Sequence, residues 1–316
     1  MQTILGAGGA IATELAEKLK DNTSDIRLVS RKPTKVNETD QLLPADLTRK
    51  EEVYRAIEGS SVVYVCIGFP YSTKIWEKIW IPFMEHVCHA CAELGTKLVF
   101  FDNVYAIGAN HIHHITEKSP VSPTSRKGKV RAAVDEIIIK SIEKGRLEAI
   151  IARAPDFFGG TSRANSVLIN LVYENLIKGK KAQWFCNAGR IHSMGYVPDL
   201  ALGTAMLGNT PEAYNQIWNL PASPEKTTGE EWIGLFADAL GTGKAYTTLP
   251  NWLVRTIGLF VPVMKELAEM NYQYEQDYYF DSSKFRQFFE YSPRTNAVAV
   301  QEAIEQLKGN QVTQGK

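Results

Sequence analysis

Thr3-Ile-Leu-Gly6-Ala-Gly8-Gly9-Ala10-Ile11-Ala12-Thr-Glu-Leu-Ala-Glu-Lys-Leu19 decides how the rest of the chain is read. A short apolar run meets glycines at 6, 8 and 9, and Ile11, Leu15, Ala16 and Leu19 then recur at helical spacing. The stretch predicts a strand, a tight turn and a helix. Glycines let backbone turn sharply and approach a phosphate, and the helix N-terminus behind them offers N–H groups and a favourable dipole. The spacing accepts Gly-x-Gly-x-x-small on Gly6, Gly8 and Ile11. It fits Gly-x-x-Gly-x-x-Ala better, on Gly6, Gly9 and Ala12. Such turns also end strands for steric reasons alone, so the motif needs support from the segments C-terminal to it.

Those segments supply it. Asp25 to Arg31 reads as a second strand ending in Ser30-Arg31, where a dinucleotide fold meets the adenosine ribose. An acid there would hold the 2′-hydroxyl of NAD. Arg31, with Lys32 and Lys35 beyond it, instead favours the 2′-phosphate of NADP, and a solvated basic turn is the plainer alternative. Gln41-Leu-Leu-Pro-Ala-Asp46-Leu47-Thr48 is a short third strand, with Thr48 placed to cap the next helix. Ser61 to Gly68, through Ile67, is a continuous apolar run of the kind buried on both faces of a parallel sheet. Trp76–Leu94 is a long helix containing Pro82, and Thr96–Asp102 is a strand with Asn103-Val-Tyr105-Ala-Ile-Gly108 as its exit loop. Lys127–Lys144 is helical and Leu147–Arg153 is another strand. Strands alternating with helices over short connections predict an α/β fold with a doubly wound parallel sheet.

The rhythm then changes. A helix over Asn165–Lys178, a strand at Ala182–Phe185 and a helix at Leu200–Leu207 are expected, with a further sheet strand near Asn215–Leu220. From Thr227 onward the pattern is mainly helical, at Glu230–Leu240, Trp252–Phe260, Pro262–Met270 and Ser282–Phe289, with a polar, disordered tail from about Lys308.

Composition narrows the class. Lys plus Arg equals Asp plus Glu at 35 each, with no dense basic cluster, so neither nucleic acid nor an anionic membrane is expected as a partner. The four cysteines lack a disulfide-scaffold spacing, and the chain enters its first strand without a signal peptide. The apolar run Trp252–Met264 is broken by Arg255 and Pro262 and is too short to span a bilayer. A cytoplasmic protein, monomeric or homodimeric, with a small-molecule substrate is expected.

These pieces resemble the extended short-chain dehydrogenase/reductases, the NAD(P)-dependent epimerase/dehydratase group, over nearly the whole chain. Besides Gly6-x-x-Gly9-x-x-Ala12, the resemblance rests on Asp46-Leu47, the strand ending at Gly68, Arg153-Ala-Pro155-Asp156-Phe157-Phe158-Gly159, and Tyr196-Val-Pro-Asp199-Leu-Ala. It implies a Rossmann-type dinucleotide domain (1–157 with 191–222) and a smaller, mainly helical substrate domain (158–190 with 223–316). It implies adenine contacts from Asp46 and Leu47, dinucleotide contacts from Gly6 to Ile11, Ser30, Arg31, Ile67 and Gly68, and nicotinamide-side contacts from Pro155, Phe157 and Phe158. Asp156, His192 and Tyr196 would lie on the substrate side.

The chemistry departs from the family pattern. The group uses a Tyr-x-x-x-Lys pair whose Lys lowers the Tyr pKa, with a Ser or Thr to orient the carbonyl. None of the 13 tyrosines has a Lys four residues later. Alignment puts Arg131 at the usual Lys, Lys127 at the usual Tyr and Asn103 at the usual Ser. Three readings are open. One is an oxidoreductase on a small carbonyl or hydroxyl compound, with Tyr105, Lys127 and Asn103 as a rebuilt catalytic set. The second is an NADP(H)-sensing binding protein without catalysis. The third is an epimerase or dehydratase with its own acid and base, Asp156 and His192. His86-x-Cys88-His89-x-Cys91 has a metal-like look within an apolar helical pattern, where packing is the plainer role, and no metal is expected. His111-Ile-His113-His114 extends the Tyr105 loop, and Tyr272 to Phe280 is an aromatic run suited to a cleft roof or a core.

Overall fold

The computed structural model describes residues 1–161 and 166–314. In chain order the strands are β1 (Gln2–Leu5), β2 (Ile26–Ser30), β3 (Gln41–Pro44), β4 (Val62–Val65), β5 (Lys97–Asp102), β6 (Ala149–Arg153), β7 (Asp156–Phe158), β8 (Ala182–Phe185), β9 (Met194–Tyr196), β10 (Gln216–Asn219) and β11 (Tyr246–Leu249). Seven of them form one parallel sheet in the order β10-β6-β5-β4-β1-β2-β3. The order reverses between β1 and β4, the switch point at which open α/β sheets bind ligands. Every residue of β1, β4 and β6 is buried, as their near-continuous apolar sequences require of strands covered on both faces.

The helices that cover this sheet are α1 (Ala10–Leu19), α2 (Lys50–Ile57), α3 (Thr73–Leu94) and α4 (Arg126–Glu143). The apolar faces of α2, α3 and α4, with Val53, Trp80, Met84 and Val134 among them, close one core against Leu5, Val63 and Phe100. α3 begins at Thr73, runs through Pro82 and ends on Gly95 at φ +64°, a left-handed stop that glycine adopts without strain. Thr48 does not cap α2 as expected. Its backbone N–H and hydroxyl both donate to the Asp46 carboxylate, and Arg49 takes the N-cap position without a side-chain cap bond.

Two compact units divide the chain. The first is Met1–Ala106, Arg126–Ala154 and Leu200–Leu220, and contains the whole seven-stranded sheet; the second is Ile107–Ser125, Pro155–Asp199 and Pro221–Lys316. The sequence division differs from these units mainly at Ile107–Ser125 and 191–199, because β9 pairs in parallel with β7 within the second unit.

In the second unit a π-helical segment, Leu168–Tyr173, runs into α5 (Glu174–Leu176), inside the expected 165–178 helix; Asn165 itself lies outside the described residues. After α6 (Val197–Gly208) come α7 (Gly229–Leu240), α8 (Asn251–Ile257), α9 (Pro262–Ala268), α10 (Tyr272–Glu275), α11 (Ser283–Phe288) and α12 (Asn296–Gln314). Trp184, Trp232, Phe236, Val300 and Ile304 centre the core of this unit. α12 corrects the expected disordered tail: Ala299, Val300, Ala303, Ile304 and Leu307 recur at helical spacing and are all buried, so the helix docks through them and carries Lys308 with it.

Candidate functional site

Gly6 leaves β1 at φ +104°, and a Cβ built on it would stand 2.5 Å from the Ile67 Cα. The exits of β1 and β4 therefore touch, and only glycine fits between them. Gly8 comes next at φ +92°, with nothing within 4 Å of where its Cβ would be. Gly9 is the N-cap of α1, Ala10 its first residue, and no side chain caps the helix. Ile11, buried, anchors the first turn to the core. An uncapped helix N-terminus behind an open glycine turn, with no acid in the first turn, fits an anionic phosphate group.

The neighbouring strand ends complete this rim. The Ser30 carbonyl accepts from Ala45 N–H at 3.0 Å, tying β2 to the segment after β3, and Arg31 is exposed just beyond. The Asp46 carboxyl is held below its ordinary range, chiefly by the Thr48 hydroxyl and backbone N–H bonds, with Arg31 and Arg49 adding to the effect. Leu47 is buried in the core beside it, and Gly68 has open space where a Cβ would stand.

Next along the same carboxyl edge lie the residues singled out for proton transfer. Asn103 Oδ1 accepts from Tyr105 N–H at 2.9 Å and shapes the β5 exit turn. The Tyr105 ring stacks on Trp76, and its hydroxyl is 3.5 Å from the Tyr71 hydroxyl. Lys127 is fully buried, so it is not a solvated first-turn side chain: Nζ donates to Thr73 Oγ1 at 3.0 Å and lies 4.6 Å from the centre of the Tyr71 ring. Tyr71 thus links Tyr105 to Lys127. Sequence reasoning missed it because it comes a loop after β4 and shares no spacing with either partner. The only available signal was Phe69-Pro-Tyr71-Ser-Thr73 standing directly after Gly68.

Arg131, aligned with the family lysine, is committed elsewhere. It donates to Asp102 through Nε at 2.6 Å and through Nη2, with its guanidinium 4.3 Å from the Trp80 ring centre. Arg153 donates to Asp135 at 3.0 Å, and all four charged groups are buried. Burial and the Asp102 charge push the Asp135 carboxyl far up, against the pull of Arg153. Asp135 therefore keeps its proton well above the usual carboxylate range.

In the second unit, His192 is buried with Nε2 at 3.0 Å from Asp156 Oδ2 and Nδ1 at 3.2 Å from the Gln273 carbonyl. Both ring nitrogens are thus held by oxygen partners, which fixes the imidazole beside the Asp156 carboxyl. Tyr274 donates to the same Asp156 oxygen at 3.0 Å and stacks on the imidazole, with ring centres 4.3 Å apart. Pro155 and Phe157 flank Asp156. Phe158 corrects its expected cofactor role: its ring is buried among Tyr196, Trp232 and Phe236 and serves the core. Tyr196 is also buried, its hydroxyl donating to Glu302 at 3.1 Å. The aromatic run is core rather than roof at Tyr278 and Phe280, and His114 pairs with Asp281 at 3.0 Å.

Burial pushes the thiols of Cys66 and Cys88 up to about 12. Cys88 and Cys91 pack in α3, while His89 faces Glu93 at 3.4 Å. Among the described residues no group of three or more His, Cys, Asp or Glu side chains is arranged to hold a metal ion.

Known proteins share this fold. Residues 3–220 match the model of the NAD dependent epimerase/dehydratase family. No curated protein sequence matches the chain. Among solved structures, it is similar to UDP-glucuronic acid 4-epimerase from Bacillus cereus in complex with NAD, at 16% identity and TM-score 0.80, covering 100% of this chain and 99% of that one. It is also similar to a double mutant of DesIV, dTDP-glucose 4,6-dehydratase, from Streptomyces venezuelae with NAD bound, at 13% identity and TM-score 0.81, covering 99% and 98%. UDP-N-acetylglucosamine 4-epimerase from Bacillus cereus is similar at 17% identity and TM-score 0.76, covering 98% and 97%. These likenesses carry the fold, and the family match spans the entire seven-stranded sheet: the chain belongs to the NAD-dependent epimerase/dehydratase family of enzymes.

Proposed function

We propose that this chain is an NADP-dependent oxidoreductase of that family, acting on a small carbonyl or hydroxyl compound, in which Tyr105, Tyr71 and Lys127 replace the missing Tyr-x-x-x-Lys pair. The observation that carries the reading is the buried Lys127 Nζ, 3.0 Å from Thr73 Oγ1 and against the Tyr71 ring, with the Tyr71 hydroxyl 3.5 Å from that of Tyr105. When bound, a nicotinamide cofactor would supply the hydride-transfer chemistry. Tyr105 gives or takes the proton at the substrate oxygen, and the Lys127 ammonium against the Tyr71 ring keeps positive charge beside the Tyr71–Tyr105 hydroxyl pair, favouring ionisation there. Asn103 holds the Tyr105 turn in place. The glycine turn and the α1 N-terminus hold the pyrophosphate, and Arg31, with no acid at the end of β2, takes the 2′-phosphate. The UDP-glucuronic acid 4-epimerase and DesIV structures carry NAD, so the preference for NADP rests on the end of β2, where Arg31 stands and no acid does.

NADPH oxidation is measured against small aldehydes and ketones, and UDP-glucuronic acid and dTDP-glucose are assayed by chromatography for new nucleotide sugars, because epimerisation and dehydration consume no net reductant. Tyr105→Phe and Lys127→Ala are expected to lower kcat about a hundredfold or more while NADPH still binds, read by its fluorescence. Full turnover in Tyr105→Phe overturns the assignment. Arg31→Ala is expected to weaken NADPH about tenfold and leave NADH unchanged. Turnover that survives these changes but fails in Asp156→Asn and His192→Gln supports the second reading, an epimerase or dehydratase. The buried His192 ring against Asp156, with Tyr274 donating to the same carboxylate oxygen, is the feature favouring it. Intact NADPH binding with no turnover of any substrate supports the NADP(H)-sensing binding protein.

A further inference from the structure

Tyr105 and Lys127 meet one neighbour in common, Arg131. Lys127 and Arg131 are both buried and stand four residues apart in α4, so they leave the helix on the same side. Lys127 reaches Thr73, the first residue of α3. Arg131 reaches Asp102, the last residue of β5, where Nε, at 2.6 Å, and Nη2 converge on Oδ1. Asp102 is fixed on its other side as well, because its carbonyl accepts from Ala154 N–H at 2.9 Å, just past β6. Tyr105 follows three residues later, in the turn that Asn103 shapes by accepting its N–H at 2.9 Å. The turn therefore departs from a residue held at both its carboxylate and its carbonyl. The guanidinium also meets the wall on which Tyr105 rests. It lies 5.9 Å from the centre of the Trp76 ring, and the Tyr105 ring stacks on that indole with centres 6.2 Å apart. Trp80 at 4.3 Å and Phe100 at 4.7 Å from their ring centres enclose the guanidinium.

Stability alone does not call for an ion pair at this place. The Arg131 and Asp102 side chains are 4% and 0% exposed, so both charges have lost their water. Their attraction at best offsets that loss, and well-packed apolar side chains of similar size hold a helix on a sheet as firmly. What the guanidinium adds is direction. Two N–H groups of one rigid plane aimed at one oxygen admit a narrow range of orientations, whereas apolar side chains slide past one another. A direction fixed at the end of β5, one helical turn from Lys127, is fixed for both groups of the proton-transfer set.

We infer that Arg131, acting through Asp102, is a positioning residue that holds the Tyr105 turn and Lys127 in place for proton transfer; the inference rests on the assignment of Tyr105 to that step. Arg131→Lys keeps a cation for Asp102 and removes the planar donor pair. It is expected to fold and to bind NADPH as wild type does, read by circular dichroism and fluorescence, and to lower kcat about tenfold with KM unchanged. Arg131→Met combined with Asp102→Leu removes both charges together, leaves neither buried alone, and is expected to lose kcat in the same way. Ile138→Ala deletes a fully buried side chain two turns further along α4; it lowers the melting temperature and leaves kcat unchanged, which separates lost position from lost stability. A second readout needs no turnover. The full chain is labelled with 3-fluorotyrosine, and the Tyr105 fluorine resonance is identified by its loss in Tyr105→Phe. One sharp line is expected in wild type and a broadened or divided line in Arg131→Lys. An unchanged Tyr105 line in Arg131→Lys, or full kcat in the folded Arg131→Lys and double variants, overturns the inference. Turnover that persists in Tyr105→Phe, or is absent in wild type, overturns the catalytic assignment instead, and the fluorine line then decides whether Arg131 positions the turn.

Discussion

Gly6 shows how much one residue can decide. Its left-handed backbone and the Ile67 Cα at 2.5 Å from a would-be Cβ leave no room for a side chain, because both obstacles are backbone. Gly6→Ala is expected to cost about 2–4 kcal/mol, from αL strain together with overpacking, and to weaken NADPH binding more than tenfold. Urea melts and a fluorescence titration measure the two effects; an unchanged midpoint overturns the account. This residue was legible in the sequence because its constraint is local and repeats at a known spacing. Tyr71 was not, since its partners, Tyr105 and Lys127, lie 34 and 56 residues further along and meet it only when β4, β5 and α4 come together.

Elements differ in how openly they announce themselves. α7 carries a full capping box: the Thr228 hydroxyl accepts from Glu231 N–H, and the Glu231 carboxylate accepts from Thr228 N–H. Thr228→Ala is expected to lower stability by about 1 kcal/mol with no effect on cofactor affinity, measured by thermal melting and NADPH titration. α4 is harder to read. Lys127, Arg131 and Asp135 recur every four residues, which in isolation marks a solvated stripe, yet all three are buried with Val130, Val134 and Ile138. A buried charged stripe is stable only where partners await it. Thr73, Asp102 and Arg153 are those partners, and none lies on the helix itself.

Across the molecule, the Arg131–Asp102 and Asp135–Arg153 pairs join β5, β6 and α4, and burial with the Asp102 charge raises the Asp135 carboxyl. The raised Asp135 group sets the sign of a pH effect. The folded chain keeps a proton that the unfolded chain releases above about pH 4, so stability falls as pH rises from there through neutrality, until the folded group also ionises. The stability difference between wild type and Asp135→Asn is therefore expected to favour wild type most near pH 5 and to shrink toward pH 9, measured by urea unfolding across that range. A difference independent of pH would show that Asp135 is not the group holding the proton.

The sequence alone determined the parallel sheet, its glycine turn and the family, because glycine spacing, apolar strand runs and helical periodicity are local constraints that the backbone must satisfy wherever it folds. It also determined that the usual Tyr-x-x-x-Lys pair is absent. Only the tertiary structure decided which side chains meet around those positions. Lys127 meets Tyr71, Arg131 is spent on Asp102, and Asp156 meets His192, through contacts between residues far apart in the chain. The same holds for the α8–α9 tip. Val254 and Phe260 look alike in sequence, and packing alone buries one and leaves the other to solvent.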